Sequence, residues 1–188
     1  PVRNCSCPWS GATDPMGFLH TLLILLLAAM PPAARAATPE SEVRAAIVVS
    51  FSNYVEWPAS NAPSNTVQVC IAGRGPTADA LMALNGKTIF GRNIIVAIRF
   101  HPVETMGCHI LFIGESSMRS PQDWLRETAG LPLLTVVEGE GLPLPGSIIN
   151  LARSGKRIVF DIDLTSMRRA NLLISSDLLR LARELHGR

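Results

Sequence analysis

From residue 38 onward the apolar positions fall into short runs whose spacing alternates between helix and strand. Thr38-Pro39-Glu40 offers a cap, a first-turn proline and an early acid. Val43, Ala46, Ile47, Phe51 and Tyr54 then recur at helical spacing, which predicts an amphipathic helix stopped by Trp57-Pro58. Asn61 to Asn65 has the composition of a loop. Thr66 to Ala72 reads as a strand, Pro76 to Leu84 as a short helix and Asn93 to Phe100 as a second strand. Cys108 to Ile113 is a third strand, apolar enough to be buried on both faces. Pro121 to Thr128 follows as a helix that turns Trp124 and Leu125 to the core, and Leu133 to Val137 is a fourth strand.

Such alternation of strands without a polar face and short helices implies a mostly parallel sheet covered on both sides. The rhythm changes near the carboxyl end. Ser147 to Leu151 and Arg157 to Asp163 flank Ser154-Gly155-Lys156 and predict a β-hairpin, with Ile158, Phe160 and Ile162 on one face and Val159, Asp161 and Asp163 on the other. A short helix through Met167 and Arg168 and a last helix from Ser175 or Ser176, carrying Leu178, Leu181, Ala182 and Leu185 at i, i+3, i+4 and i+7, close the chain. The predicted class is therefore α/β: a single domain with a mixed, mostly parallel sheet flanked by helices, a C-terminal β-hairpin and two closing helices.

Ahead of this domain, Leu22 to Met30 is an unbroken apolar run of nine residues, well short of the about 20 that a membrane-spanning helix needs. Pro31-Pro32 end it, and Ala34-Arg35-Ala36 has the A-x-A form of a signal-peptidase site. The expectation is a cleaved secretory signal within residues 1–36, initiated at Met16, and an exported domain over residues 37–188. A buried core helix is the alternative for the apolar run.

The whole chain has 188 residues, 47% of them hydrophobic and 17% charged, which suits one packed domain and excludes a disordered one. Its formal net charge is +2. Removing residues 1–36 takes Arg3, Arg35 and Asp14 from 17 basic and 15 acidic residues, leaving 15 and 14. So even a balance excludes a dedicated nucleic-acid surface, which needs clustered excess cation. Cys5 and Cys7 precede the signal, so Cys70 and Cys108 are the two cysteines of the mature part. Export permits a bridge between them, and two separate buried thiols are the alternative.

No motif assembles a catalytic or metal site. His101, His109 and His186 have no zinc-ligand spacing. Gly73-Arg74-Gly75 lies between a strand and a helix, where helix amides could hold an anion. It lacks the last glycine of G-x-G-x-x-G, so a tight turn is the better reading. Asp161 and Asp163 share a strand face and could pair for acid/base work, but a solvated hairpin face is the reading preferred.

The order of motifs over residues 42 to 185 nevertheless resembles the YfiR-like periplasmic domains. The matching pieces are Glu42 to Ile47 with Phe51 and Tyr54 to Pro58, then Val69 to Gly73, Gly86 to Arg92 and Gly107 to Ile113. Pro132 to Val136, Gly146 to Ala152 leading to Arg157 to Leu164, and Ala170 to Ser176 with Leu178 to Ala182 continue the series. The resemblance implies a periplasmic protein that is not an enzyme, takes no cofactor and restrains a membrane-bound signalling protein, a diguanylate cyclase or a sensor kinase. Cyclic-di-GMP output and biofilm formation would fall as a result. It further implies a Cys70–Cys108 disulfide and a possible homodimer. Where some of the family carry a second cysteine pair, near Gly141 to Asn150, this chain has none.

A binding protein needs an apolar anchor on a rigid frame rather than converging titratable groups. The candidate anchors are Trp57 and the basic edge of Arg168, Arg169, Arg180 and Arg183. The alternatives are a core position for Trp57 and a solvated face for the arginines. A periplasmic ligand-binding or transport accessory role, using Gly73, Arg74 and Gly75, is the second functional expectation.

Overall fold

The computed structural model of the protein describes residues 39–139 and 144–187. The segment read as a signal, with Cys5, Cys7 and Met16, lies outside these residues. Among the described residues, no helix is long and apolar enough to cross a membrane.

Helix α1 (Pro39–Ser50) opens the fold and leads through a 3-10 turn (Phe51–Asn53) into the two-residue strand β1 (Val55–Glu56). The sequence expectation of a helix running to Trp57 is corrected here. Ser50 Oγ donates to the Ile47 carbonyl and Ser52 Oγ to the Val49 carbonyl, each at 2.7 Å. These hydroxyls compete for the carbonyls that would continue the helix. The chain then pairs antiparallel with β9 (Leu173–Ile174), a partner too distant in sequence for local periodicity to reveal.

The remaining strands are β2 (Thr66–Ala72), β3 (Thr88–Ile89), β4 (Arg92–Arg99), β5 (Ile110–Ile113), β6 (Leu134–Glu138), β7 (Ile149–Ser154), β8 (Arg157–Asp163) and β10 (Glu184–His186). They form one sheet in the order β10-β8-β7-β6-β5-β2-β4-β3. β4, β2, β5, β6 and β7 run parallel, and β8 returns antiparallel to β7 through Gly155-Lys156. The mixed, mostly parallel sheet is thus the one the sequence predicts. β3 is an addition: Phe90 and Gly91 turn the chain with φ of 51° and 75°, the paired positive φ of a tight hairpin that a glycine supplies easily and a Phe does not.

Alternation in the central strands sends side chains into two cores. Val67, Val69 and Ile71 of β2, with Ile110 and Phe112 of β5, pack beneath α1, α2 (Pro76–Met82), α4 (Leu164–Arg169) and α5 (Ser176–Leu181). Cys70, Ala72, Leu111 and Ile113 face the other way, toward Trp124 and Leu125 of α3 (Pro121–Glu127). The sheet is therefore covered on both faces, as its unbroken apolar strands require.

The last helix is shorter than its periodicity predicts. It ends at Leu181, and Glu184–His186 lies along β8 as the parallel edge strand β10, so Leu185 belongs to a strand. The Arg183 amide donates to the Phe160 carbonyl at 2.8 Å and its guanidinium binds Asp161, which holds the chain in extended form along the sheet.

Candidate functional site

β2 is flanked by β4 on one side and β5 on the other. The chain leaves β2 for α2 and leaves β5 for α3, and these helices lie in different cores. At the carboxyl ends of these strands the two loops meet backbone to backbone. The Arg74 amide donates to the Ser116 carbonyl at 2.8 Å. Gly73 has a φ of +103°, and a Cβ there would stand 2.8 Å from the Ser116 carbonyl oxygen, so only glycine fits. Gly73-Arg74-Gly75 is thus a tight turn pinned to the neighbouring loop, and it borders a cleft of about 160 Å³ between that loop and the end of β4.

On the α3 side, Cys70 of β2 is bonded to Cys108, just ahead of β5, with Cα atoms 6.0 Å apart. Both cysteines are buried. A polar node beside the bridge ties the preceding loop to β5. Asn61 Nδ2 donates to the Cys108 carbonyl at 3.1 Å and to the Pro132 carbonyl at 2.8 Å. Trp57 Nε1 donates to the His109 carbonyl at 3.3 Å, with the two rings edge to face at 6.0 Å. Trp57 is 8% exposed, so it packs in the core and presents no anchor surface. His109 Nδ1 accepts from the Gln68 amide at 2.9 Å, which requires a neutral imidazole. Burial, reinforced by the nearby Arg92 charge, holds the His109 pKa below its ordinary value.

The four arginines of the proposed basic edge have different roles. Arg183 Nε donates to Asp161 Oδ1 at 2.9 Å in a paired contact, and the Asp161 side chain is 1% exposed. Arg168 Nη1 donates to the Gly187 carbonyl at 3.0 Å. Arg180 pairs with Asp177 one turn before it, and Arg169 is exposed at the end of α4. Asp161 therefore corrects the expectation of a solvated hairpin face: it is the buried acceptor of the Arg183 clasp. Asp163 caps α4 instead, accepting from the Thr165 amide at 2.7 Å, so the two aspartates do not converge on a common reacting atom.

Sequence reasoning missed one buried charge. Glu138, at the end of β6, accepts from Arg44 Nη1 at 2.8 Å and from Thr77 Oγ1 at 2.7 Å, joining β6 to α1 and α2. Arg44 also donates to Glu40 one turn earlier, and that bond holds the Glu40 carboxyl below its usual pKa. Glu138 lies 94 residues from Arg44, so no local spacing signals the pair. Among the described residues, no three His, Cys, Asp or Glu side chains gather closely enough to hold a metal ion.

Two comparisons bear on this frame. The chain aligns in three dimensions with a conserved domain protein from Vibrio cholerae O1 biovar eltor, with a TM-score of 0.50 and 10% identity over 77% of this chain. At that identity the likeness concerns the fold alone, and the chain spans 60% of the Vibrio protein's length. In sequence, the model of the family described as YfiR/HmsC-like matches residues 41–183, from the start of α1 to the Arg183 clasp. A match over most of the chain places this protein in the YfiR/HmsC-like family.

Proposed function

We propose that this protein is an exported regulator that binds the periplasmic part of a membrane signalling protein, a diguanylate cyclase foremost, and holds its output down. The observation that carries this reading is the family match over residues 41–183. The frame suits it: a sheet packed on both faces and cross-linked at Cys70–Cys108 is a rigid support for a docking surface. The docking surface in this reading is the segment from α4 to α5. It carries Arg168, Arg169 and Arg180 together with the exposed Leu173 and Leu181, and so offers apolar anchors between cations. Arg183 is committed to Asp161 and serves the fold. Trp57 takes no part in the contact.

The direct test is co-purification from detergent-solubilised membranes with the tagged, exported domain. Capture of a cyclase or sensor kinase that is lost on charge reversal at Arg168 and Arg169 supports the proposal. Capture that survives reversal moves the contact elsewhere, and failure to retain any membrane signalling protein contradicts the proposal. In the same reading the regulator acts as a homodimer, which sedimentation of the purified protein tests.

A further inference from the structure

The cleft at the carboxyl ends of β2 and β4 carries a charge pattern that the regulatory reading does not use. In open α/β sheets, ligands bind where neighbouring strands send their connections to opposite faces, and here that place is the end of β2, between the β2–α2 and β5–α3 loops. Arg74, Arg99 and Arg119 all line the cleft, and no carboxylate does so among the described residues. Two acids that bond to cleft-lining residues are already engaged. Glu127 pairs with Arg119, and Glu104 accepts from the Phe100 and His101 amides at 2.9 and 3.2 Å. Arg74 and Arg99 make no side-chain ion pair among the described residues, and Arg99 Nε is buried without a hydrogen-bond partner. A buried donor left unpaired is unfavourable, and a bound anion would satisfy it.

The rest of the lining sets the shape of that anion. Phe100 is 54% exposed and Met118 92% exposed, so apolar surface stands open at the mouth beside the guanidinium groups. Ser117 Oγ accepts from Trp124 Nε1 at 3.1 Å, which leaves its own hydrogen for a further acceptor. The volume of about 160 Å³ lies below the roughly 300 Å³ at which sites for drug-sized ligands begin. We propose that this cleft binds a small organic carboxylate, its carboxylate held in the forks of Arg74 and Arg99 and its apolar body laid against Phe100 and Met118. Guanidinium suits the role because its planar donors match a carboxylate in pairs.

The test is a nuclear magnetic resonance titration of the isotopically labelled, exported protein at fixed ionic strength. Benzoate, benzamide and inorganic phosphate form separate arms. Saturable benzoate shifts confined to the amides of residues 73–75, 98–100 and 116–119 are expected, with benzamide and phosphate each at least about tenfold weaker. Arg74→Gln, at an exposed position, and Arg99→Gln should each weaken benzoate by about tenfold or more, whereas Arg99→Lys should fall between. Equal binding of benzamide, tighter binding of phosphate, shifts centred elsewhere, or unchanged affinity in Arg74→Gln would each overturn the proposal. Cyclic-di-GMP plays no part in this readout, so the ligand site and the regulatory reading fail independently.

Discussion

Removing the Cys70–Cys108 bridge gives the largest stability change whose size follows from the topology. The two cysteines are 38 residues apart, and closing a loop of that length removes roughly 4 kcal/mol of unfolded-state freedom on the chain-entropy model. That is a large share of the about 5 to 15 kcal/mol by which domains are stable. Both residues are buried between the sheet and α3, so the paired Cys70→Ala and Cys108→Ala variant also loses some sulfur packing and should fall by about 4 to 5 kcal/mol in total. Urea unfolding followed by circular dichroism measures it. The midpoint should drop sharply, and reduced wild-type protein should lie within about 1 kcal/mol of the double variant. A double variant within about 1 kcal/mol of the oxidised protein would refute the reasoning, because the cross-link would then constrain little of the unfolded chain.

Other expectations follow from single contacts. Asp161→Asn should destabilise by about 1 to 3 kcal/mol and speed amide exchange at residues 184–186, because it weakens the buried half of the clasp that holds β10; unchanged exchange there would contradict it. Trp57→Ala should cost about 3 to 5 kcal/mol, as for a core aromatic, and a variant of unchanged urea midpoint would place Trp57 on the surface after all. The His109 imidazole should titrate below its unfolded value of 6.5. The unfolded chain then binds more protons in that window, so stability is complete above pH 6.5 and is lost as pH falls through the lower, folded pKa. A proton-resonance titration with a midpoint at or above 6.5 would contradict this.

The parallel sheet was legible because β2, β5 and β6 carry apolar residues on both faces, a pattern with one stable solution. The start of the last helix was equally plain: Ser175 opens α5 by accepting from the Leu178 amide, as local chemistry demands. What escaped depends on distant partners. Val55–Glu56 extends because Leu173–Ile174 lies beside it, and Leu185 leaves its helical period because Arg183 finds Asp161. Asp161 looked solvated since its strand alternates cleanly; a covering Arg 22 residues later leaves no trace in that alternation. At the cleft the glycines of Gly73-Arg74-Gly75 were visible, but Arg99 and Arg119 join Arg74 only through the sheet order.

The central claim is that the exported domain lowers the output of a membrane cyclase, and cellular cyclic-di-GMP measures it most directly. Deleting the gene should raise cyclic-di-GMP. Complementation with the exported form should restore the lower level, whereas a form retained in the cytoplasm should not. Charge reversal at Arg168 and Arg169 should leave the circular dichroism spectrum unchanged and fail to complement. A deletion strain whose cyclic-di-GMP equals that of its parent would contradict the account.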